Sequence, residues 1–153
     1  MKVGFTGTRE GLTDQQLAWL YSLLEDQSPD MAITEVHHGA CVGADLAVHQ
    51  AALDANCLVH VWPPTNMSLC ATECLIQGPL VTIHPRMPYF NRDREIVNAT
   101  EGLIALPKHD AQPDPPQWGG TWYTVDFALR MNRPVIICNP KGIVTKLHSS
   151  SLH

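Results

Sequence analysis

Met1-Lys2-Val3-Gly4-Phe5-Thr6-Gly7-Thr8-Arg9 is a short strand-like run that passes straight into a glycine turn. The same arrangement returns further on. Ala32-Ile33-Thr34-Glu35-Val36 reads as a strand and leads into His38-Gly39-Ala40-Cys41-Val42-Gly43-Ala44-Asp45. A third turn, Gly119-Gly120-Thr121-Trp122-Tyr123-Thr124, follows a Pro-rich loop from Lys108 to Trp118 and opens an apolar helical run from Val125 to Met131. Glycine lets a backbone pass close to a ligand. A helix start offers unpaired N–H groups and positive partial charge, which together suit a phosphate. Taken alone, the third motif is equally an ordinary loop-to-helix turn. Three such turns in one chain imply one anion-binding crevice at the carboxyl ends of parallel strands.

Between the turns, strands and helices alternate. Lys2 to Thr6, Ala32 to His37, Leu58 to Trp62, Gly102 to Leu106 and Pro134 to Cys138 read as strands. Thr13 is placed to cap a helix reaching about Gln27, with Leu17, Leu20, Leu23 and Leu24 on one face. Ala44 to Ala55, Asn91 to Ala99 and Thr121 to Met131 read as further helices, Ser68 to Ile76 as a short one, and Gly78 to Pro88 as irregular. Leu103-Ile104-Ala105-Leu106 and Val135-Ile136-Ile137-Cys138 are continuously apolar, as strands covered on both faces are. The expected fold is α/β: a mainly parallel sheet of about five strands between helices, in one domain over residues 1–146. The polar tail from Leu147 to His153 is expected to be disordered.

Composition narrows the function. The chain has 153 residues, 44% of them hydrophobic, with a formal net charge of -5. That charge argues against duplex nucleic-acid binding, which wants a basic face. No apolar run nears the roughly 20 residues that span a bilayer, so no membrane partner is expected. The N-terminus does not read as a signal peptide. The cysteine count of five is odd and shows no disulfide framework, and a cytoplasmic location follows. Cys70 and Cys74 with His84 form an incomplete metal set, so neither a metal nor a cofactor is expected.

Four motifs carry a family resemblance: Gly4-Phe5-Thr6-Gly7-Thr8-Arg9, His38 to Asp45, Asn91-Arg92-Asp93-Arg94-Glu95-Ile96-Val97, and Leu103-Ile104-Ala105-Leu106-Pro107 followed by Gly119-Gly120-Thr121. In order and spacing the chain resembles the SLOG superfamily. That group joins the LOG phosphoribohydrolases, the DNA-processing protein A core and many Rossmann-like nucleotide-binding domains. The resemblance covers about residues 2 to 140 and is nearest to the small standalone branch. It implies a Rossmann-like three-layer fold, a nucleotide or nucleotide-derived ligand at the strand ends, and a homodimer or higher homo-oligomer. LOG enzymes cleave the N-glycosidic bond of a nucleoside 5'-monophosphate with an Arg and a Glu. Arg92 falls on the Arg position. Tyr123 and Thr124 stand where the family has acids, so the Glu does not carry over, and Asp45 is the best substitute. Asp93, Glu95 and Asp126 are the other available acids.

The expected ligand-binding residues are therefore Gly7, Thr8, Arg9, Gly39, Ala40, Gly43, Asp45, Arg92, Gly119, Gly120 and Thr121. Asp45 and Arg92 are the catalytic candidates if the protein is an enzyme. Each has a plainer reading: Arg9 as a solvated surface side chain, Asp45 as a helix N-terminal acid. Arg94 points away from Arg92 and is expected at the surface or at an interface. Trp118 and Trp122 flank the glycine pair, positioned either for base stacking or for the core. Tyr89 and Phe90 line the pocket or a dimer contact. The leading function is capture of a nucleotide; the alternative is N-glycoside or phosphoribosyl hydrolysis. Single-stranded DNA binding is a weaker third.

Overall fold

The structure is a computed structural model and describes residues 1–110 and 120–149. In chain order its elements are β1 (Lys2–Gly7), α1 (Asp14–Glu25), β2 (Glu35–His38), α2 (Ala44–Asp54), β3 (Leu58–Val61), β4 (Val81–Ile83), α3 (Tyr89–Asn98), β5 (Gly102–Leu106), α4 (Gly120–Arg130), β6 (Val135–Cys138) and β7 (Val144–Leu147). One sheet holds the strands in the order β4-β3-β2-β1-β5-β6-β7. Every neighbouring pair is parallel except β6–β7. The chain winds outward from β1 to β4, then returns so that β5 lies on the other side of β1. That reversal between β1 and β5 is where an open α/β sheet forms its crevice.

The local chemistry explains the elements. Thr13 caps α1 in a full capping box with Gln16. Gln16 is itself buried, and its amide donates to Pro107 O at 2.9 Å and Cys138 O at 3.0 Å, tying the start of α1 to the ends of β5 and β6. β5 is buried along its whole length. Ile104 and Leu106 join a core with Phe5, Val36, Val59, Leu20 and Val48 beside α1 and α2. Leu103 and Ala105 join a second core with Val97, Val125 and Leu129 beside α3 and α4. One strand thus serves two apolar layers, as a parallel sheet covered on both faces requires. Burying each large aliphatic side chain contributes about 1.5–3 kcal/mol.

Three sequence expectations are corrected. Among the described residues the sheet has seven strands where about five were expected. The two additions, β4 and β7, are edge strands of three and four residues, too short to leave a periodic signal. β7 is reached by a turn in which Asn139 Oδ1 accepts N–H groups of Lys141 and Ile143, both at 2.9 Å. It ends at Leu147, the first residue of the expected tail; residues 150–153 lie outside the described residues. Ser68 to Ile76 is two 3-10 turns, Met67–Leu69 and Thr72–Leu75, split at Cys70 and Ala71. The split arises because this segment pairs with the second glycine turn: Val42 N donates to Leu69 O at 2.9 Å and Ala71 N to Ala40 O at 2.7 Å. Leu17, expected inside, is 37% exposed. Among the described residues, no helix is long and apolar enough to cross a membrane.

Candidate functional site

β1 ends at Gly7, beside the end of β5, and the turn that follows is stitched to both neighbours. Thr8 N donates to Leu106 O at 3.0 Å, and Thr8 O accepts Ala44 N at the start of α2 at 2.8 Å. Above these strand ends opens a cleft of about 670 Å³. It collects Gly7, Thr8 and Arg9 from the first turn, Gly39 and Asp45 from the second, Arg92 from α3, and Gly120 and Thr121 from the start of α4. Ala40 and Gly43 do not line it, and Gly119 and Trp118 lie outside the described residues.

The glycines have distinct jobs. Gly43 has φ +86°, and a Cβ there would lie 2.5 Å from Thr8 O, so it lets the first two turns pack together. A Cβ at Gly39 would lie 2.1 Å from an Arg92 guanidinium nitrogen; Gly39 admits that side chain. At Gly120 a Cβ meets nothing within 4 Å among the described residues, and the residue lines the cleft. Ala40, buried with φ 59°, donates its N–H to His38 Nδ1 at 3.0 Å and belongs to the wall.

The two arginines differ. Arg92 is 5% exposed. Its Nε donates to Asp93 Oδ1 at 2.8 Å, and one terminal nitrogen donates to the carbonyls of Gly39 and of Trp62. The other lies 3.7 Å from Cys41 Sγ. Burial works against its charge, and Asp93, Cys41 and Asp45 more than offset that. Arg9 is exposed, has no salt bridge among the described residues, and lies 5.2 Å from the centre of the Tyr89 ring. Arg94 is exposed.

Asp45 is 8% exposed and accepts the Cys41 N–H at 3.1 Å. Burial pushes its carboxyl up to about 6, against the opposing pull of Arg92 and the Cys41 N–H. Asp93 is raised in the same way by burial, also against Arg92. Of the other acids, Asp126 pairs with Arg130 at 2.8 Å on the exposed side of α4. Trp122 is core, whereas Tyr89 and Phe90 line the cleft, with Phe90 packed 4.3 Å from Tyr123. Cys41, Glu10 and Lys108 also line it, the last two joined at 2.7 Å. Sequence reasoning missed these three; the one available signal was that each lies inside or directly after a strand-end turn.

Two histidine groups have metal-like spacing: His38, His49 and Cys74, and Glu35, His37 and His60. In each, a hydrogen bond fixes the tautomer the wrong way for a metal. Ala40 N–H occupies His38 Nδ1, so Nε2 carries the proton and donates to His49 Nδ1 at 2.9 Å. Trp62 N–H occupies His37 Nδ1 at 3.0 Å, so Nε2 carries the proton and faces Glu35 at 3.4 Å. A protonated nitrogen has no lone pair to ligate with.

No protein-family model matches this sequence, and no curated protein matches it. Solved structures do. A structure of DNA processing protein A from Helicobacter pylori, a protein that binds single-stranded DNA, matches with a TM-score of 0.61 and 16% identity over 90% of this chain. The chain has the Rossmann-like fold of DNA processing protein A. It spans 64% of that protein's chain. The structural genomics target TM1055 matches with a TM-score of 0.58 and 14% identity, over 88% of this chain and 72% of its own. Both likenesses agree in fold with the SLOG resemblance of the motifs.

Proposed function

We propose that the cleft binds a nucleotide or nucleotide-derived ligand through its phosphate and leaves it intact. The observation that carries this reading is one cleft lined from four separate segments: the turn at Gly7 to Arg9, the turn at Gly39 to Asp45, α3, and the start of the 11-residue α4. Arg9 is the cation available to a phosphate, because Arg92 is held by protein acceptors. The first N–H groups of α4, at Gly120 and Thr121, add donors and a positive partial charge. Tyr89 and Phe90 supply apolar surface beside them, where a base has room to stack. Phe90, 52% exposed, also offers a contact for a homodimer, which light scattering at micromolar concentration would test.

A second reading rests on Asp45. Its buried carboxyl lines the cleft and is raised by burial to about 6. Loss of an N-glycosidic bond builds oxocarbenium character that a carboxylate stabilises. Incubation with a nucleotide panel, followed by chromatography of the liquid and of denatured protein, separates the two. Intact retained ligand means a binder. Released base, abolished in Asp45→Asn with binding kept, means a hydrolase. Retention of a single-stranded oligonucleotide but of no mononucleotide would sink both and extend the neighbour's DNA binding to this chain.

A further inference from the structure

We propose that Cys41 and Cys70 form a redox pair, held in register to close into a disulfide on the wall of the cleft under a mild two-electron oxidant such as a peroxide. The two residues face each other across an isolated antiparallel bridge. The flanking hydrogen bonds run from Val42 N to Leu69 O and from Ala71 N to Ala40 O. This pattern makes Cys41–Cys70 a non-hydrogen-bonded pair, in which the Cα atoms sit about 4.5 Å apart and the side chains share one face. A disulfide accepts Cα separations of about 4.4–6.8 Å, so no backbone has to travel. Both cysteines are free thiols.

Their surroundings divide the work. Cys70 is the half-buried and more accessible thiol; Cys41 is buried, lines the cleft and sits beside the Arg92 guanidinium. The Cys70 thiolate attacks a peroxide oxygen, the O–O bond breaks, and hydroxide (or the alkoxide of an organic peroxide) leaves. Cys70 is now a sulfenic acid. The Cys41 thiolate attacks its sulfur, the S–O bond breaks, and hydroxide departs as water after taking up the proton that Cys41 released. Two thiols lose two electrons and two protons, and the peroxide is reduced by the same two electrons. Burial pushes both thiols up, so closure quickens as the pH rises. Closure has two consequences for the site. It ties the connection that follows β3 to the second glycine turn. It also converts the sulfur beside Arg92 from an ionisable thiol into a neutral disulfide. The effect on ligand affinity rests on the binding function proposed above, whereas the bond itself does not.

The test oxidises the full chain under native conditions with hydrogen peroxide and maps peptides without reductant. The expected product links the peptide holding Cys41 to the peptide holding Cys70, lighter by two hydrogens. Cys70→Ser should lose it, and Cys74→Ser should keep it. A Cys70–Cys74 bond instead, or sulfinic acids with no cross-link, would overturn the pair. Nucleotide affinity is then compared between oxidised and reduced protein, with a change of about tenfold expected. Equal affinity in both states would overturn the coupling to the cleft. Absence of nucleotide binding in both states, with the cross-link formed, would count against the proposed function while supporting the pair.

Discussion

β2 is flanked by two polar clusters that treat charge in opposite ways. At its start, Glu35 lies near His60 Nε2 at 2.5 Å, His37 Nε2 at 3.4 Å and Lys2 Nζ at 3.6 Å. His84 holds His60 through a 2.8 Å bond, and Trp62 holds His37. The rings stack, His37 on His60 and Trp62 on His84. Beyond its carboxyl end, Arg92 sits among Asp45, Asp93 and Cys41 at an open cleft. In the first cluster the polar groups face one another, although His37 Nε2 makes no hydrogen bond among the described residues. The second opens on the cleft and holds Arg9, which has no salt bridge among the described residues, and a carboxyl raised by burial. A ligand gains most where polar groups converge on space. The contrast is why the proposed ligand is assigned to the carboxyl end of β2.

The largest expected effect comes from removing the charge that holds the open cluster together. Arg92→Ala leaves Asp45 and Asp93 buried without their cation and should cost about 3–5 kcal/mol, read as a lower urea midpoint with an unchanged slope. A loss under 1 kcal/mol would mean that the wall does not depend on this pair. The next effect separates ligand binding from stability. Arg9→Ala should weaken nucleotide binding by about 1.5–3 kcal/mol, roughly ten- to a hundredfold, while changing stability by less than about 0.5 kcal/mol. Unchanged affinity in calorimetry would remove Arg9 from the site.

Much of this architecture was legible in the chain. The strand-turn-helix alternation gave the layers, Thr13 gave a cap, and eight of the eleven candidate ligand residues line one cleft. The sequence did not reveal the separate jobs of the glycines. Gly39 and Gly43 looked alike, yet one makes room for an arginine 53 positions away and the other for the first turn. Such roles depend on long-range packing, and spacing carries no record of it. The histidine cluster around Glu35 was hidden for the same reason. His37 and His60 are register partners on neighbouring strands, and only the sheet brings them face to face. The edge strands were hidden by their shortness.

The smallest effect is the most discriminating, because it sets the two clusters against each other through pH. Burial, aided by His60, holds His37 down to about 4, below the unfolded value of about 6.5. Between those values the unfolded chain binds more protons there, so this histidine makes stability rise with pH. Asp45 runs the other way. Its carboxyl, raised by burial to about 6 from an unfolded value near 3.9, keeps a proton in the folded state that the unfolded chain has lost. Its contribution is full below about pH 4 and is lost as pH rises through about 6. Over pH 4–6 the two slopes oppose, each at most about 1.4 kcal/mol per pH unit. Relative to wild type, Asp45→Asn should therefore tilt the profile toward stability that climbs with pH, and His37→Gln should tilt it the other way. Urea midpoints across this window decide it: two variants with the same slope would mean that the clusters at the ends of β2 do not carry opposite charge logic.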